Sequence, residues 1–497
     1  MEVSHMAKYI LTIDQSTTGT KSVLFNEQGI IVADKNLIHK QYYPAPGWVE
    51  QDAEEIFEQT VQVIAGVLKE AAIPEQDVLA LAITVQTGAF VVWNKQTGKP
   101  VHHIIGWQCN RGEEACARLT EDEKATILCK SGTDASAFLP AAKLSWMFEH
   151  LEGLSDAAEK EEILFGTIES WLIWKLTRGR VHAADYCNAS ITQLFDQETL
   201  QWDEELLRIF HIPRNILPAL YDADADFGTV DVPGLPALPI TGVIGDSAAA
   251  LFGQCGFHAG DVKITYGTGS SILMNLGSTP QPPAEGMTTS VGWRMGGNVT
   301  YVWEGTAVYT GAVISWLVSD MEMLENAAQS EEIARQVTDA QGVYLVPAFT
   351  GLGTPYRDSA ARACIVGMST GTKRAHLVRA ALDCIAYQIR DMVESMQKET
   401  KEAVPTLLVD GGVTKNALLM QFQSDILGIP VLRSRAKESS ALGVFYMAGV
   451  ATGLFENKEQ LRSLGEEKQR FDPHMDAVSR EELYEGWKKA IRQSRLI

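Results

Sequence analysis

Tyr9-Ile10-Leu11-Thr12-Ile13-Asp14 is apolar almost throughout and ends in a carboxylate, a pattern that predicts a buried strand. A polar turn and a second apolar run, Ser22-Val23-Leu24-Phe25, follow it. Asn26-Glu27-Gln28-Gly29 then turns the chain toward a third strand near Ile30-Ile31-Val32. The result is a β-hairpin whose first loop faces something polar. Asp52 predicts the N-cap of a helix with Phe57, Val61, Ile64 and Leu68 on its apolar face. A further strand from Leu79 to Val85 leads into Gln86-Thr87-Gly88, and strands mixed with helices in this way indicate an α/β layered fold.

The second half restarts the pattern: Val262 to Tyr266, a polar turn, then Ile272 to Leu276. The echo predicts an internal duplication with a boundary near residue 255, giving domains of residues 1–255 and 256–497. Asp222 to Pro239, rich in Asp, Gly and Pro, reads as a surface excursion late in the first lobe. A late strand, Thr406 to Val409, ends in Asp410-Gly411-Gly412, at the kind of strand edge where α/β sheets bind ligands. In the tail, Ser479-x-x-Glu482 predicts a capping box before a packing helix with Leu483, Trp487 and Ile491 on one face.

Candidate chemistry collects at the turns. Asp14-Gln15-Ser16-Thr17-Thr18-Gly19-Thr20-Lys21 and Thr265-Tyr266-Gly267-Thr268-Gly269-Ser270-Ser271 combine small residues, which let backbone approach an anion, with the donors that phosphate oxygens need. Each alone is also compatible with an ordinary turn; together with Asp410-Gly411-Gly412 they point to phosphoryl transfer. Asp246, in the run Ile244 to Ala250, is the candidate base for an acceptor hydroxyl, and Asp14 the candidate partner of Mg²⁺.

Composition narrows the class. A chain of 497 residues, at about one domain per 150, predicts two or three domains. Hydrophobic content of 45% and charged content of 21% describe a globular protein, and no run of about 18 apolar residues predicts a membrane span. The net charge of −21 argues against nucleic acid as a partner but leaves a nucleotide open, because aligned N–H groups, one cation and Mg²⁺ suffice to hold it. The seven cysteines form no Cys-x-x-Cys pair and predict reduced thiols in the cytoplasm; Cys109 and Cys116 read as isolated thiols. Adjacent His102 and His103 on an extended segment point to opposite faces and share no metal. Met1 to Met6 reads as an expression scar with the natural start at Met6.

Longer patterns now bear on the same turns. Phe138-x-Pro140-x-x-Lys143-Leu144-x-Trp146-Met147-x-Glu149-His150 and Ala363-x-Ile365-x-Gly367-Met368, followed by His376-Leu377-x-x-Ala380-Ala381-Leu382-Asp383, resemble the two signatures of the FGGY family of carbohydrate kinases. The resemblance covers nearly the whole chain and is nearest the family's glycerol kinase branch, through Pro44 to Glu50, Leu164 to Lys175, Val346 to Tyr356 and Met420 to Leu427. It implies two actin-like lobes of the ribonuclease H type, with ATP and acceptor in the cleft between them, and a homo-oligomer, dimer or tetramer. Carried over by position, Thr17, Thr18, Gly19 and Lys21 would face the β- and γ-phosphates. Thr268, Gly269, Gly311, Ser315, Gly412 and Asn416 would hold the rest of the nucleotide. Asp14 would position Mg²⁺ through water, and Asp246 would be the base.

The acceptor pocket departs from that branch. There the strand before the pocket ends in Gln-Arg-Glu, whose Arg and Glu clasp glycerol; here it ends in Gln86-Thr87-Gly88. Phe138 stands for a Tyr, Ser247 for a Gln and Ser271 for a Phe, while Trp107 is kept. Losing two hydrogen bonds to charged groups costs roughly 3–6 kcal/mol, on the order of a hundredfold or more in affinity. The pocket is therefore expected to be roomier, able to accept a longer polyol or a ketose, and the reading is phosphorylation of a small polyol or ketose at a primary hydroxyl. Two other readings stand beside this one: a drifted glycerol kinase, and a non-catalytic sugar or nucleotide sensor on the same fold. The stretch Val232 to Pro236, where some relatives carry a basic loop for an allosteric sugar bisphosphate, has no basic residue, so that control is expected to be absent.

Overall fold

A computed structural model describes residues 7–464 and 468–496; the segment Met1 to Met6 lies outside them. The first lobe is built on a five-stranded sheet in the order Ile240–Gly245, Val78–Val85, Tyr9–Gln15, Gly19–Asn26, Ile31–Ile38. Tyr9–Gln15 runs antiparallel to Gly19–Asn26 and parallel to Val78–Val85, which in turn is parallel to Ile240–Gly245. Asp14 pairs with Thr84, and Gly245 with Val85. This register places Asp14, Gln86 and Asp246 at three adjacent strand ends, on one edge of the sheet.

The second lobe repeats the arrangement. Val262–Tyr266 is antiparallel to Ser270–Gly277 and parallel to Leu407–Asp410, within a seven-stranded sheet that continues through Asn298–Ala307 on one side and Val431–Arg433 on the other. The expected duplication is thus present as repeated topology, strand, turn, antiparallel strand and parallel neighbour. A third sheet, including Glu50–Gln51, Ile104–Ile105 and Phe90–Asn94, extends the first lobe and carries the loop to Trp107.

Two helices lie between the main sheets. Asp246–Gly253 touches Val262–Tyr266 and Ser270–Gly277, and Ser439–Ala451 packs on that helix and on three strands of the first sheet. A continuous apolar cluster joins Ile10, Phe25 and Ile244 of the first lobe to Leu251 and Phe252, to Leu273 and Val302 of the second, and to Phe445. Each fully buried Leu, Ile or Phe there contributes about 1.5–3 kcal/mol, so the floor of the cleft is held by core packing. No helix among the described residues is long and apolar enough to cross a membrane.

Three local expectations need correction. The helix Ala53–Ala71 is capped by Asp52 as expected, yet it buries Ile56, Thr60, Val63, Ile64 and Val67, while Phe57 and Leu68 only border that face. Asp222 to Pro239 is more than a surface excursion, because Phe227, Val230 and Leu238 are buried in the first lobe's core. The last helix, Ala477–Ser494, is capped by Asp476, which accepts from the N–H groups of Val478 and Ser479. Ser479 thus lies inside the helix; a carboxylate three residues upstream outcompetes the hydroxyl as a cap.

Candidate active site

Asp246 opens the helix Asp246–Gly253, directly after the strand Ile240–Gly245. Its Oδ1 accepts the Ser247 N–H at 2.7 Å, and the Ser440 hydroxyl donates to its carbonyl at 3.0 Å. Burial pushes the carboxyl up to about 6, opposed by the Ser247 N–H; nearby Glu304 raises it further and Lys263 lowers it. Asp14 is pushed up to about 7, first by burial and then by Asp246 and Glu438, with Lys21 opposing. Lys21 Nζ lies 2.5 Å from Glu438. Asp14 thus lies within the field of two further carboxylates, Asp246 and Glu438, with Lys21 as its opposing cation, and this excess of negative charge suits a divalent cation. Among the described residues no group of three or more His, Cys, Asp or Glu could hold a bare metal ion. A hydrated Mg²⁺ carried on phosphate oxygens needs only one or two protein carboxylates, a number that Asp14 and its neighbours could supply.

The first phosphate turn is braced from behind. The Ser16 N–H and hydroxyl both donate to the Gly19 carbonyl, at 2.9 and 3.0 Å. The Thr17 carbonyl is met by the His39 ring at 2.9 Å and accepts from Gln51 at 2.8 Å and Gln41 at 3.3 Å. Gln86, expected to face the acceptor, is instead buried, its amide nitrogen donating to Gln15, Ser16 and Gln51. With both donors committed inside the lobe the side chain braces the turn, while its buried Oε1 has no hydrogen-bond partner in the protein.

In the second lobe the N–H groups of Gly311 and Ala312 donate to the carbonyls of Gly267 and Thr268 at 3.0 Å each, which fixes the turn to the start of the helix Gly311–Ser319. The pairing of Thr265 with Asp410 brings Gly411 and Gly412 beside it. Gly411 has φ +97°, and a Cβ there would lie 2.2 Å from the Tyr266 carbonyl, so no other residue fits. Thr268, Ser315 and Gly412 are exposed on this surface. Asn416 caps the helix Ala417–Leu427, accepting from the Leu419 N–H at 3.0 Å, so its oxygen is already engaged.

On the acceptor side, the Trp107 indole N–H donates to the Thr17 hydroxyl at 3.0 Å, linking the two halves of the site. Trp107 and Phe138 are both exposed, at 43% and 51%. Thr87 is half-buried, and Gly88 adopts φ +78° with a would-be Cβ 3.3 Å from Trp107 Cβ. Four residues here went unread in the sequence. Lys143, fully buried, donates to the carbonyls of Gly88 at 3.1 Å and Gly106 at 2.9 Å, clamping the two pocket loops together; burial lowers its pKa to about 7. Glu304 accepts from the Ser271 hydroxyl at 3.0 Å, with Ser247 and Lys263 close by, and Glu438 pairs with Lys21. Glu304 did carry a signal, a lone carboxylate in the otherwise apolar run Tyr301-Val302-Trp303.

The histidine pair also differs from expectation. The segment is not a strand, and both rings turn toward Glu50, His103 at 3.1 Å and His102 at 3.7 Å, beside an ion pair from Arg111 at 2.6 Å. Cys109 and Cys116 are free thiols.

Family models for the FGGY family of carbohydrate kinases match both halves of the chain, the N-terminal domain over residues 9–253 and the C-terminal domain over 262–452. A glycerol kinase of Caldanaerobacter subterraneus subsp. tengcongensis is 44% identical over 98% of this chain and 99% of its own length. Glycerol kinase 1 of Thermotoga maritima is 45% identical at the same coverage. The crystal structure of Plasmodium falciparum glycerol kinase with ADP superposes with a TM-score of 0.93 at 33% identity, covering 98% of each chain. With its two lobes matched in order and almost end to end, the chain belongs to the FGGY family of carbohydrate kinases, phosphotransferases that act on an alcohol group.

Proposed function

We propose that this kinase transfers the γ-phosphate of Mg²⁺-bound ATP to a primary hydroxyl of a small polyol or ketose, with Asp246 as the base. The observation that carries this reading is the meeting of Asp14, Asp246 and the Thr17 turn at adjacent strand ends, with Trp107 hydrogen-bonded to Thr17. An acceptor resting against Trp107 is thereby next to the phosphate turn and to the carboxylate that takes its proton. Asp246 accepts that proton as the acceptor oxygen attacks in line. Thr17, Thr18, Gly19 and Lys21 from one lobe, and Thr268, Gly269, Gly311, Ser315, Gly412 and Asn416 from the other, hold the nucleotide and offset the charge on the phosphoryl oxygens. Asp14 holds Mg²⁺ through water, and the cation supplies further charge neutralisation. Thr87, Gly88, Trp107, Phe138, Ser247 and Ser271 surround the acceptor, and enclosure between the lobes limits hydrolysis of ATP.

A second reading, glycerol itself as a weakly bound acceptor, is favoured by the glycerol kinases among the relatives and by the retained Trp107. The replaced clasp at Thr87 and Gly88 supports the longer acceptor. The reading extends to a cytoplasmic homo-oligomer, dimer or tetramer, and the net charge of −21 argues against a nucleic-acid partner.

The test is an ADP-release screen in Mg²⁺ and ATP across glycerol, dihydroxyacetone, tetritols, erythrulose, pentuloses and pentitols. ADP formation is expected to depend on at least one of them and to stop when EDTA removes Mg²⁺. ATP turnover indifferent to every acceptor would overturn the reading in favour of an ATPase that uses no sugar, and no turnover at all would overturn it in favour of a sensor.

A further inference from the structure

Pocket residue Ser271 has a feature that the loss of the charged clasp leaves unexplained: its hydroxyl donates to the carboxylate of Glu304 at 3.0 Å, and Ser247 lies close to the same carboxylate. Glu304 lies on the strand Asn298–Ala307, opposite Leu273, which is itself opposite Lys263, so the three side chains share one face of the sheet. That face meets the helix Asp246–Gly253. Lys263 is fully buried, its Nζ 3.5 Å from the Ser247 carbonyl, and its charge offsets those of Glu304 and Asp246. Glu304 is only half-buried. An ionised carboxylate offers about four acceptor sites, so the bond from Ser271 leaves capacity for a ligand.

Side-chain size decides whether that capacity is reachable. In the resemblance set out above, Ser247 replaces a Gln and Ser271 a Phe. On the sheet face that Ser271 shares with Glu304, a Phe side chain is large enough to cover the carboxylate, whereas the serine hydroxyl orients it and leaves it less covered.

We propose that Glu304 is an acceptor-binding residue, accepting hydrogen bonds from hydroxyls remote from the attacking one on a four- or five-carbon polyol or ketose. It takes over, from the opposite wall, part of the work of the carboxylate that position 88 lacks. The inference rests on the reading of the chain as a polyol or ketose kinase and adds the residue that selects acceptor length. The plainer role, a structural counter-charge for Lys263, makes a different forecast: every acceptor would suffer equally.

The experiment compares wild type, Glu304→Gln and Ser271→Phe at saturating MgATP, with glycerol, dihydroxyacetone and the four- and five-carbon acceptors that wild type uses. Glu304→Gln keeps the volume and removes the charge; KM for the longer acceptors should rise roughly tenfold to a hundredfold, with a smaller change in kcat. KM for ATP and the ratio of glycerol to dihydroxyacetone turnover should stay within about twofold. Ser271→Phe leaves Glu304 in place but covers it, and should lose the longer acceptors selectively. An equal loss on all acceptors, or an unchanged KM for the longer ones, in both variants would overturn the proposal. Wild type without any polyol- or ketose-dependent turnover would instead overturn the underlying kinase reading.

Discussion

Asp246→Asn is expected to lower kcat by about 10²–10⁴-fold while ATP affinity and the melting temperature stay near wild type. The amide oxygen can still accept the Ser247 N–H that Asp246 accepts at 2.7 Å, so the start of the helix is kept. What is lost is the capacity to take a proton. The same residue fixes the sign of the pH dependence. Its carboxyl, lifted to about 6 by burial and by Glu304, and that of Asp14, lifted to about 7, must both be ionised to act, so wild-type kcat/KM for the acceptor should fall as pH drops through the interval between those values and below it. The residual activity of Asp246→Asn should keep only the part of this acid limb that Asp14 contributes. Steady-state kinetics from about pH 5 to 8, with ATP affinity by calorimetry, checks both statements. Near-normal turnover in the variant would remove Asp246 from the role of base.

Thr87→Arg with Gly88→Glu is expected to raise kcat/KM for glycerol by about tenfold or more. Two restored hydrogen bonds from charged groups contribute roughly 3–6 kcal/mol at best. Against this, Gly88 has φ +78°, where a side chain costs about 1–2 kcal/mol, and its Cβ would press on Trp107. Thr87→Arg alone avoids that strain and should supply part of the gain. Acceptors of four and five carbons should lose activity in the double variant as the pocket fills. The measurement is kcat/KM across the acceptor series. An unchanged value for glycerol would mean that positions 87 and 88 do not face the acceptor.

Much of this site could be read along the chain because its parts are local. The alternation around Asp14 and the glycine turns defines strand ends, and the parallel pairing of Tyr9–Gln15, Val78–Val85 and Ile240–Gly245 then brings those ends together. The duplication was legible for the same reason, as a repeated strand, turn and strand. Residues whose role depends on pairing across long separations were not. Glu304 faces the cleft only because its strand pairs with Ser270–Gly277, and Lys143 matters only because two distant carbonyls converge on it. The bracing role of Gln86 was not legible for the same reason, since its position beside the pocket says nothing of the buried amides of Gln15 and Gln51 that accept from it. The Asp476 cap and the buried face of Ala53–Ala71 show the smaller errors of local reading, a shift of one to three residues where two patterns compete.

The most direct test of the central claim, phosphorylation of an acceptor longer than glycerol in a cleft based on Asp246, is the wild-type profile of kcat/KM against carbon number. The expected profile peaks at four or five carbons, with glycerol at least about tenfold lower. A profile that peaks at glycerol would contradict it.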